Sequence, residues 1–77
     1  MKVLYFAEVK EILNMSKEYI DILEPKTVKE IRQLLNQYHP ELMDKKFQIA
    51  VNEEFTKEDG IVQPDDIIAL IPPVSGG

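Results

Sequence analysis

Residues 67–71 read Ile-Ile-Ala-Leu-Ile, and residues 2–7 read Lys-Val-Leu-Tyr-Phe-Ala. In both segments the two alternating sets of side chains are apolar, which is typical of a strand covered on both faces within a sheet. We therefore predict that these segments, which come from opposite ends of the chain, pair in parallel at the centre of one sheet. Pro72 and Pro73 should end the second strand, because neither can donate a hydrogen bond to a neighbouring strand.

Between these strands, the strongest local signal is a helix start at Thr27. Thr27-Val28-Lys29-Glu30 fits a capping box. In this motif the threonine hydroxyl accepts a hydrogen bond from the glutamate backbone N–H, and the glutamate carboxylate accepts one from the threonine backbone N–H. The helix should end before Pro40. Its apolar residues fall on one stripe, and they are Val28, Ile31, Leu34, Leu35 and Tyr38.

Shorter elements complete the pattern. We predict a two-turn helix at residues 8–14, an outer strand at 17–23, an alternating strand at 47–52 and a stub at 55–56. Gly60 is expected to supply a positive φ in a turn. This order predicts an α+β fold of the β-grasp (ubiquitin-like) kind, a roll with a mixed sheet, one main crossing helix and a short first helix. We expect a single β-grasp domain at 1–71 and a flexible Gly-Gly tail at 72–77.

One crossing helix covers only one face of a sheet. Because both central strands are apolar on both sides, the other face should carry an exposed apolar patch. The candidate members of this patch are Phe6, Ile71 and Phe55, an aromatic residue isolated among acidic ones. The alternative is a core that the short helix and loops close on that side.

Charge and composition narrow the classes of partner. The 77 residues have a net charge of −5 and no cysteine. The whole net charge falls in residues 53–66. These acidic side chains indicate either surface turns or an electric field that orients a basic partner. An acidic chain is a poor match for phosphate backbones or anionic lipid, so we expect no nucleic-acid and no membrane partner. Without a signal-like start or a long apolar run, we expect a cytoplasmic protein.

Side-chain chemistry offers little for catalysis by the chain alone. His39 is the only histidine and precedes a proline, so we expect it at the surface. Acidic pairs that are adjacent in sequence point apart in extended segments. No glycine-rich loop could bind phosphate, and no spacing suggests a metal site. We therefore expect no metal and no tightly bound cofactor.

The remaining candidate is the end of the sequence, residues 72–77 (PPVSGG). Six extended residues reach about 20 Å, and Gly76 and Gly77 can enter a channel too narrow for other residues. The distinctive reactive group would then be the α-carboxylate of Gly77. A frayed polar terminus is the alternative, although this segment carries no charged side chain.

With these features, the whole chain resembles the small, sulfur-carrying subunit of molybdopterin synthase. The most specific parts are PPVSGG at 72–77 and VLYFA at 3–7, followed by Val9-Lys10-Glu11. Thr27-Val28, Ala50-Val51-Asn52 and the acidic turn before the last strand add support. Asp65 departs from the pattern, because many relatives have glycine in this turn, and it leaves the turn type open.

The resemblance implies a reaction at Gly77. In this family, a ubiquitin-activating-like adenylyltransferase consumes ATP to adenylate the terminal carboxylate, and sulfur from a persulfide donor displaces AMP to leave a thiocarboxylate. The tail would then enter the large synthase subunit, in a heterotetramer of two small and two large subunits. There it would donate sulfur to precursor Z (cyclic pyranopterin monophosphate). The large subunit would supply the catalytic groups, so the chain is not expected to be an enzyme on its own.

Residue roles follow from the same resemblance. Gly77 would be the modified residue and Gly76 would give clearance, while Pro72, Pro73, Val74 and Ser75 would guide the tail. The docking patch would comprise Phe6, Phe55 and Ile71, with Lys10 as a further candidate. We expect this patch to dominate affinity and the acidic segment 53–66 to affect the encounter rate. Three alternatives stay open: a carrier for another pathway such as thiamine synthesis, a ubiquitin-like protein modifier, and an interaction module with an incidental Gly-Gly.

Overall fold

A computed structural model describes residues 1–73 of the chain, which contain two sheets and two α-helices. In chain order the elements are β1 (Lys2–Tyr5), α1 (Ala7–Leu13), β2 (Lys17–Tyr19), β3 (Lys26–Thr27), α2 (Val28–Tyr38), a 3₁₀ turn (Pro40–Leu42), β4 (Gln48–Val51), β5 (Glu54–Phe55), β6 (Ile61–Val62) and β7 (Ile67–Ile71). Strand β1 ends two residues earlier than the sequence predicts, because Phe6 already occupies the N-cap position of α1.

The main sheet is mixed and has the strand order β2-β1-β7-β4-β5. β1 and β7 run in parallel, with Lys2 opposite Ile67 and Tyr5 opposite Leu70, whereas the other pairs are antiparallel. The predicted parallel pairing of the two terminal segments is therefore confirmed. β7 occupies the centre of the sheet, with two strands on each side.

Helix α2 begins at the predicted capping box. The backbone N–H of Glu30 donates to Thr27 Oγ1 at 3.1 Å, and the N–H of Thr27 donates to Glu30 Oε1 at 2.9 Å. These two bonds satisfy donors that a helix start otherwise leaves free. The buried stripe of α2 then packs on one face of the main sheet through Val28, Ile31 and Leu35.

The core lies between α2 and this covered face of the sheet. The strand residues that face the core are exposed by at most 1%, and they are Val3, Tyr5, Ile49, Ile68 and Leu70. Val9 and Leu13 of α1 join the same hydrophobic cluster. The alternative of a short helix closing the opposite face is therefore wrong, because α1 packs into the core on the α2 side.

A second, two-stranded sheet was absent from the sequence prediction. β3 and β6 pair antiparallel, with Lys26 opposite Val62 and Thr27 opposite Ile61. The loop before β6 also caps α2, because Gly60 O accepts from the N–H of Val28 at 2.8 Å. This small sheet therefore joins the start of the helix to the loop that follows β5.

The expectation for Gly60 is wrong in its reason. Its φ lies outside the left-handed region, and glycine fits there because a Cβ atom would clash with Cγ2 of Thr56 and lie 3.2 Å from the Lys57 carbonyl oxygen. Positive φ values occur instead at Ala7 (49°) and Asn14 (54°), at the two ends of α1, and at Asn52 (50°) and Glu53 (72°). Asn52 and Glu53 are the two loop residues between β4 and β5, as expected for a tight hairpin turn.

Candidate docking site

The uncovered face of the main sheet carries a groove of about 550 Å³. Its lining comes from β1, β4, β7 and the β4–β5 hairpin and is mostly apolar. The lining residues are Leu4, Phe6, Ala50, Asn52, Glu53, Phe55, Ile67, Ala69 and Ile71. We call this site the open-face groove.

Strand alternation and register explain the concave shape. Successive side chains of β7 point to opposite faces, so Ile67, Ala69 and Ile71 reach the open face. One row then crosses four strands, because Leu4 is opposite Ala69, Ala69 opposite Ala50, and Ala50 opposite Phe55. The two alanines in the middle form a low floor between larger side chains.

Three predicted patch residues come together here, and one does not. Phe6, Phe55 and Ile71 all line the open-face groove, and Phe6 and Phe55 are 45% and 66% exposed. Such a cluster of exposed large apolar side chains marks a surface suited to a partner. Lys10 lies on α1, is exposed and is not among the lining residues. The part that each residue plays in binding stays a prediction.

Acidic residues border one end of the groove. At the Ile67 end, Asn52 Oδ1 accepts from the N–H of Ile67 at 3.0 Å and Asn52 Nδ2 donates to Asp66 Oδ1 at 3.1 Å. Glu53 and the acidic turn before β7 therefore border this end. Asp65 in that turn has no positive φ, so an aspartate is accommodated without backbone strain.

At the other end of the groove, β7 stops at Ile71 and the chain continues through Pro72 and Pro73. Pro72 is half-buried and Pro73 is exposed. The remaining predicted tail residues, Val74, Ser75, Gly76 and Gly77, lie outside the described residues. The chain thus leaves the sheet beside the Phe6 and Ile71 end of the open-face groove.

Comparison with known proteins identifies the family. Residues 3–77 match the ThiS family. The chain belongs to the ThiS family. It is also 35% identical over 82 residues to the molybdopterin synthase sulfur carrier subunit of Homo sapiens, an alignment that covers 100% of this chain and 93% of the human one.

Solved structures agree with this assignment. SAMP1 from Haloferax volcanii superposes with a TM-score of 0.86 at 25% identity, covering 100% of this chain and 98% of that one. A chain from the complex of subunits 1 and 2 of the molybdopterin-converting factor from Helicobacter pylori 26695 gives 0.66 at 25% identity, covering 99% and 96%. The predicted α+β β-grasp fold is confirmed for this ThiS-family chain.

The covered side of this ThiS-family chain holds a polar cluster that the sequence pattern did not predict. Glu18 Oε1 accepts a hydrogen bond from the Tyr5 hydroxyl at 2.7 Å and lies 2.7 Å from His39 Nε2. The rings of Tyr5 and His39 meet edge to face, with centroids 6.0 Å apart. The His39 side chain is only 13% exposed, so the prediction of a surface histidine is wrong.

The pKa shifts in this cluster have physical causes that the geometry shows. Burial raises the pKa of Tyr5 well above its ordinary value, and the hydrogen bond to Glu18 and the charge of Glu18 add to this shift. Partial burial acts to raise the pKa of Glu18, but hydrogen bonds with His39 and Tyr5 outweigh it and lower the pKa. The cluster therefore holds a neutral phenol against a carboxylate, an arrangement that ties β1 and β2 to the end of α2.

One sequence signal could have revealed part of this cluster. In the predicted outer strand, Glu18 shares its alternating set with Ile20 and Ile22, both of which are buried. A carboxylate in an apolar set indicates a buried partner. Its partners Tyr5 and His39 are distant along the chain, and no spacing rule connects them.

Residues 1–73 contain neither a metal-binding arrangement of side chains nor a membrane-spanning helix. There, no group of three or more histidine, cysteine or acidic side chains is arranged to hold a metal ion. Neither helix of that part is long and apolar enough to cross a membrane.

Proposed function

We propose that this ThiS-family chain is the sulfur carrier subunit of a molybdopterin synthase and acts in molybdenum cofactor biosynthesis. The observation that carries the proposal is the 35% identity to the human sulfur carrier subunit over the full chain. The geometry supports it, because the open-face groove lies beside the point where the chain leaves β7 towards Gly76 and Gly77.

The chemistry is assigned to the α-carboxylate of Gly77. A carboxylate is a poor electrophile, and adenylation by an ATP-consuming partner gives it AMP as a leaving group. The terminal sulfur of a persulfide donor then displaces AMP to form an acyl disulfide. A second thiol of the donor protein attacks this bond, so that the donor's two thiols end as a disulfide and Gly77 is released as a thiocarboxylate. This anionic sulfur is a nucleophile that needs no cysteine, in agreement with a chain that has none. Its attack on a carbon of precursor Z displaces an oxygen leaving group and forms a thioester. Water then hydrolyses the thioester, which leaves the sulfur on the product and returns Gly77 to a carboxylate.

Docking positions this nucleophile inside the large subunit. Phe6, Phe55 and Ile71 supply the apolar contact, and exposed aromatic side chains that fill a partner's pockets dominate many interfaces. Pro72, Pro73, Val74 and Ser75 direct the tail into the active site, where the large subunit contributes the catalytic groups. The assembly contains two small and two large subunits. The adenylyltransferase uses the same groove in the preceding step.

Intact-mass measurement tests the chemistry. The chain is incubated with a ubiquitin-activating-like adenylyltransferase, ATP and a persulfide sulfur donor. We expect a mass increase that matches replacement of one oxygen by sulfur, and we expect no increase for a variant that lacks Gly76 and Gly77. An equal increase in the shortened variant would place the sulfur elsewhere. Absence of any increase with the full chain would contradict the carrier function.

Binding to the large subunit tests the docking surface. Phe55→Ala should weaken the complex by about 10- to 100-fold, as expected for a central aromatic contact. Tyr38→Ala is the matched control, because Tyr38 is an aromatic residue of similar exposure (52%) on α2 rather than in the groove. Equal affinities for Phe55→Ala and the unmodified chain would show that the assignment of the groove is wrong.

The product formed at Gly77 distinguishes a sulfur carrier from the alternative function, a protein modifier. A modifier would form conjugates of high molecular mass in cells, joined through Gly77 to lysine side chains of other proteins. A sulfur carrier forms the thiocarboxylate and produces no such conjugates. Restoration of molybdopterin synthesis in cells that lack the carrier, with the tail intact and not without Gly76 and Gly77, would favour the carrier function.

A further inference from the structure

Phe55 occupies an unusual position in the open-face groove. Its side chain is 66% exposed, and the strand that carries it, β5, has only two residues. Packing therefore does little to fix this ring. Its position depends on the backbone of the β4–β5 hairpin and of the loop that follows.

Arg32, which lies on α2, contacts both ends of this hairpin. Its Nη1 donates to the carbonyl oxygen of Phe47, directly before β4, at 2.9 Å. Its Nε and Nη2 each lie 3.0 Å from Oε1 of Glu58, in the loop after β5. The guanidinium also stacks over the Phe47 ring, with Cζ 4.8 Å from the centroid. One side chain thus bonds to the residues that flank residues 48–55.

Further hydrogen bonds make the loop after β5 a single compact unit. The N–H of Thr56 donates to the Ile49 carbonyl at 3.1 Å, and the Thr56 hydroxyl donates to the Glu54 carbonyl at 2.8 Å. The Glu58 carbonyl accepts from the N–H of Lys29 at 3.0 Å. Glu58, which Arg32 bonds, therefore lies only two residues after Thr56, whose hydrogen bonds hold the backbone on either side of Phe55.

We propose that Arg32 is a positioning residue for docking: it holds the β4–β5 hairpin so that Phe55 meets the partner in one geometry. This inference rests on the proposed docking function of the groove. Arginine suits the task because its planar fork can bond to a carboxylate and a carbonyl at the same time, which a lysine ammonium on a flexible stem cannot reproduce. Arg32 is absent from the lining of the open-face groove, although it lines a neighbouring cavity of about 420 Å³ together with Phe55 and Glu58. In this proposal it acts on docking through Phe55.

The contribution of Arg32 to partner affinity can be distinguished from its contribution to the stability of the fold. The side chains of Arg32 and Glu58 are 28% and 54% exposed, and ion pairs at such exposure contribute little to folding. A hairpin that samples several positions, in contrast, must be ordered when the partner binds, which lowers the affinity. We expect Arg32 variants to lose affinity for the partner by a larger factor than their folding equilibrium changes.

The test measures the affinity of the full chain for the large subunit of molybdopterin synthase. Arg32→Gln should bind about tenfold more weakly, and Arg32→Lys should lie between Arg32→Gln and the unmodified chain. Glu58→Gln, an exposed change that leaves the helix untouched, should lose about two- to threefold. Lys45→Gln is the matched control, because it breaks an exposed ion pair with Glu8 (3.5 Å) and neither residue lines the groove.

Two readouts distinguish positioning from a structural effect. Hydrogen exchange at the Thr56 amide should accelerate in Arg32→Gln, while exchange at the His39 amide, bonded to Leu35 O at 2.8 Å, should stay unchanged. A double-mutant cycle gives the second readout. If Arg32 acts through Phe55, Arg32→Gln should have no further effect on affinity in a Phe55→Ala background.

The outcomes separate this inference from the docking proposal. Additive losses in the cycle, or an Arg32→Gln chain that binds as tightly as the unmodified one while Phe55→Ala binds weakly, would overturn the role of Arg32 and leave the groove assignment intact. Unchanged binding of Phe55→Ala would overturn both. Non-additive losses with faster exchange at Thr56 alone would support the inference.

Discussion

The two faces of the main sheet are built from the same strands but differ in what they contribute. On the covered face, Tyr5 and Leu70 are at most 1% exposed beneath the 11-residue helix α2. On the open face, Phe6 and Ile67 are each 45% exposed, although these neighbouring positions are equally apolar. Apolar surface stabilises the fold only when it leaves water. Alternate residues of one strand can therefore serve stability and partner binding separately.

The largest expected difference in folding stability is between substitutions at two neighbouring residues of β7. Leu70→Ala should lower the free energy of unfolding by about 2–5 kcal/mol, because it leaves a cavity in the core. This is a large share of the total of about 4–12 kcal/mol for a chain of this size. Ile71→Ala, on the half-buried open face, should cost less than about 1.5 kcal/mol and should weaken binding to the large subunit.

Urea unfolding and partner titration of both variants check this contrast. The expected pattern is a low unfolding midpoint for Leu70→Ala and a near-normal midpoint with weak binding for Ile71→Ala. Equal losses of stability in the two variants would show that the faces are not separable in this way.

The loop that joins the two faces gives the next effect. Gly60→Ala should destabilise the fold by about 1–3 kcal/mol, because the new Cβ would clash with Cγ2 of Thr56. Thr56→Ser removes that methyl group and keeps the hydroxyl that donates to Glu54 O. Thermal unfolding of Gly60→Ala with and without Thr56→Ser checks this, and the pair should regain most of the loss. Failure of the second change to restore stability would show that contact of the new Cβ with the Lys57 carbonyl oxygen (3.2 Å), rather than with the Thr56 methyl group, demands glycine.

The covering helix can be weakened without touching the groove. Thr27→Ala removes the side chain that accepts from the N–H of Glu30, and loss of such a cap costs about 1 kcal/mol. Thr27→Ser keeps the acceptor and serves as the control. Chemical unfolding should show the loss in Thr27→Ala only, whereas the affinity for the large subunit should match that of the unmodified chain. A fall in affinity at a temperature where the variant is folded would indicate that the two faces are coupled.

Sequence patterns predicted the parts of the fold that depend on periodicity and local chemistry. The capping box at Thr27 and the two strands that are apolar on both faces needed no knowledge of tertiary contacts. β3 and β6 could not be found, because two residues cannot show an alternating pattern. The need for glycine at position 60 was predicted for the wrong reason, since a clash with Thr56 depends on how the loop folds back.

The candidate site likewise has features that the sequence predicted and features that depend on the packed chain. An excess of apolar residues over what one helix can cover predicted that Phe6, Phe55 and Ile71 would share an exposed surface. The low floor of the groove required the register of β4, β5 and β7, which places Ala50 beside Ala69. The contacts of Arg32 with residues 15 and 26 positions away are likewise a property of the packed chain.

The smallest predicted effect concerns Glu18, on the covered side of the sheet, and it depends on pH. Hydrogen bonds with His39 and Tyr5 outweigh partial burial and lower the pKa of Glu18 below its ordinary value near 4.5. Its carboxylate form therefore stabilises the folded chain; this contribution is complete above about pH 4.5 and is lost as the pH falls through the lowered pKa. Glu18→Gln keeps an oxygen that can accept both hydrogen bonds but cannot titrate. Urea unfolding should show the variant less stable by up to about 1 kcal/mol at pH 7, with the difference closing towards pH 3. A difference that widened on acidification would mean that the folded state favours the protonated form of Glu18, the opposite of what its partners predict.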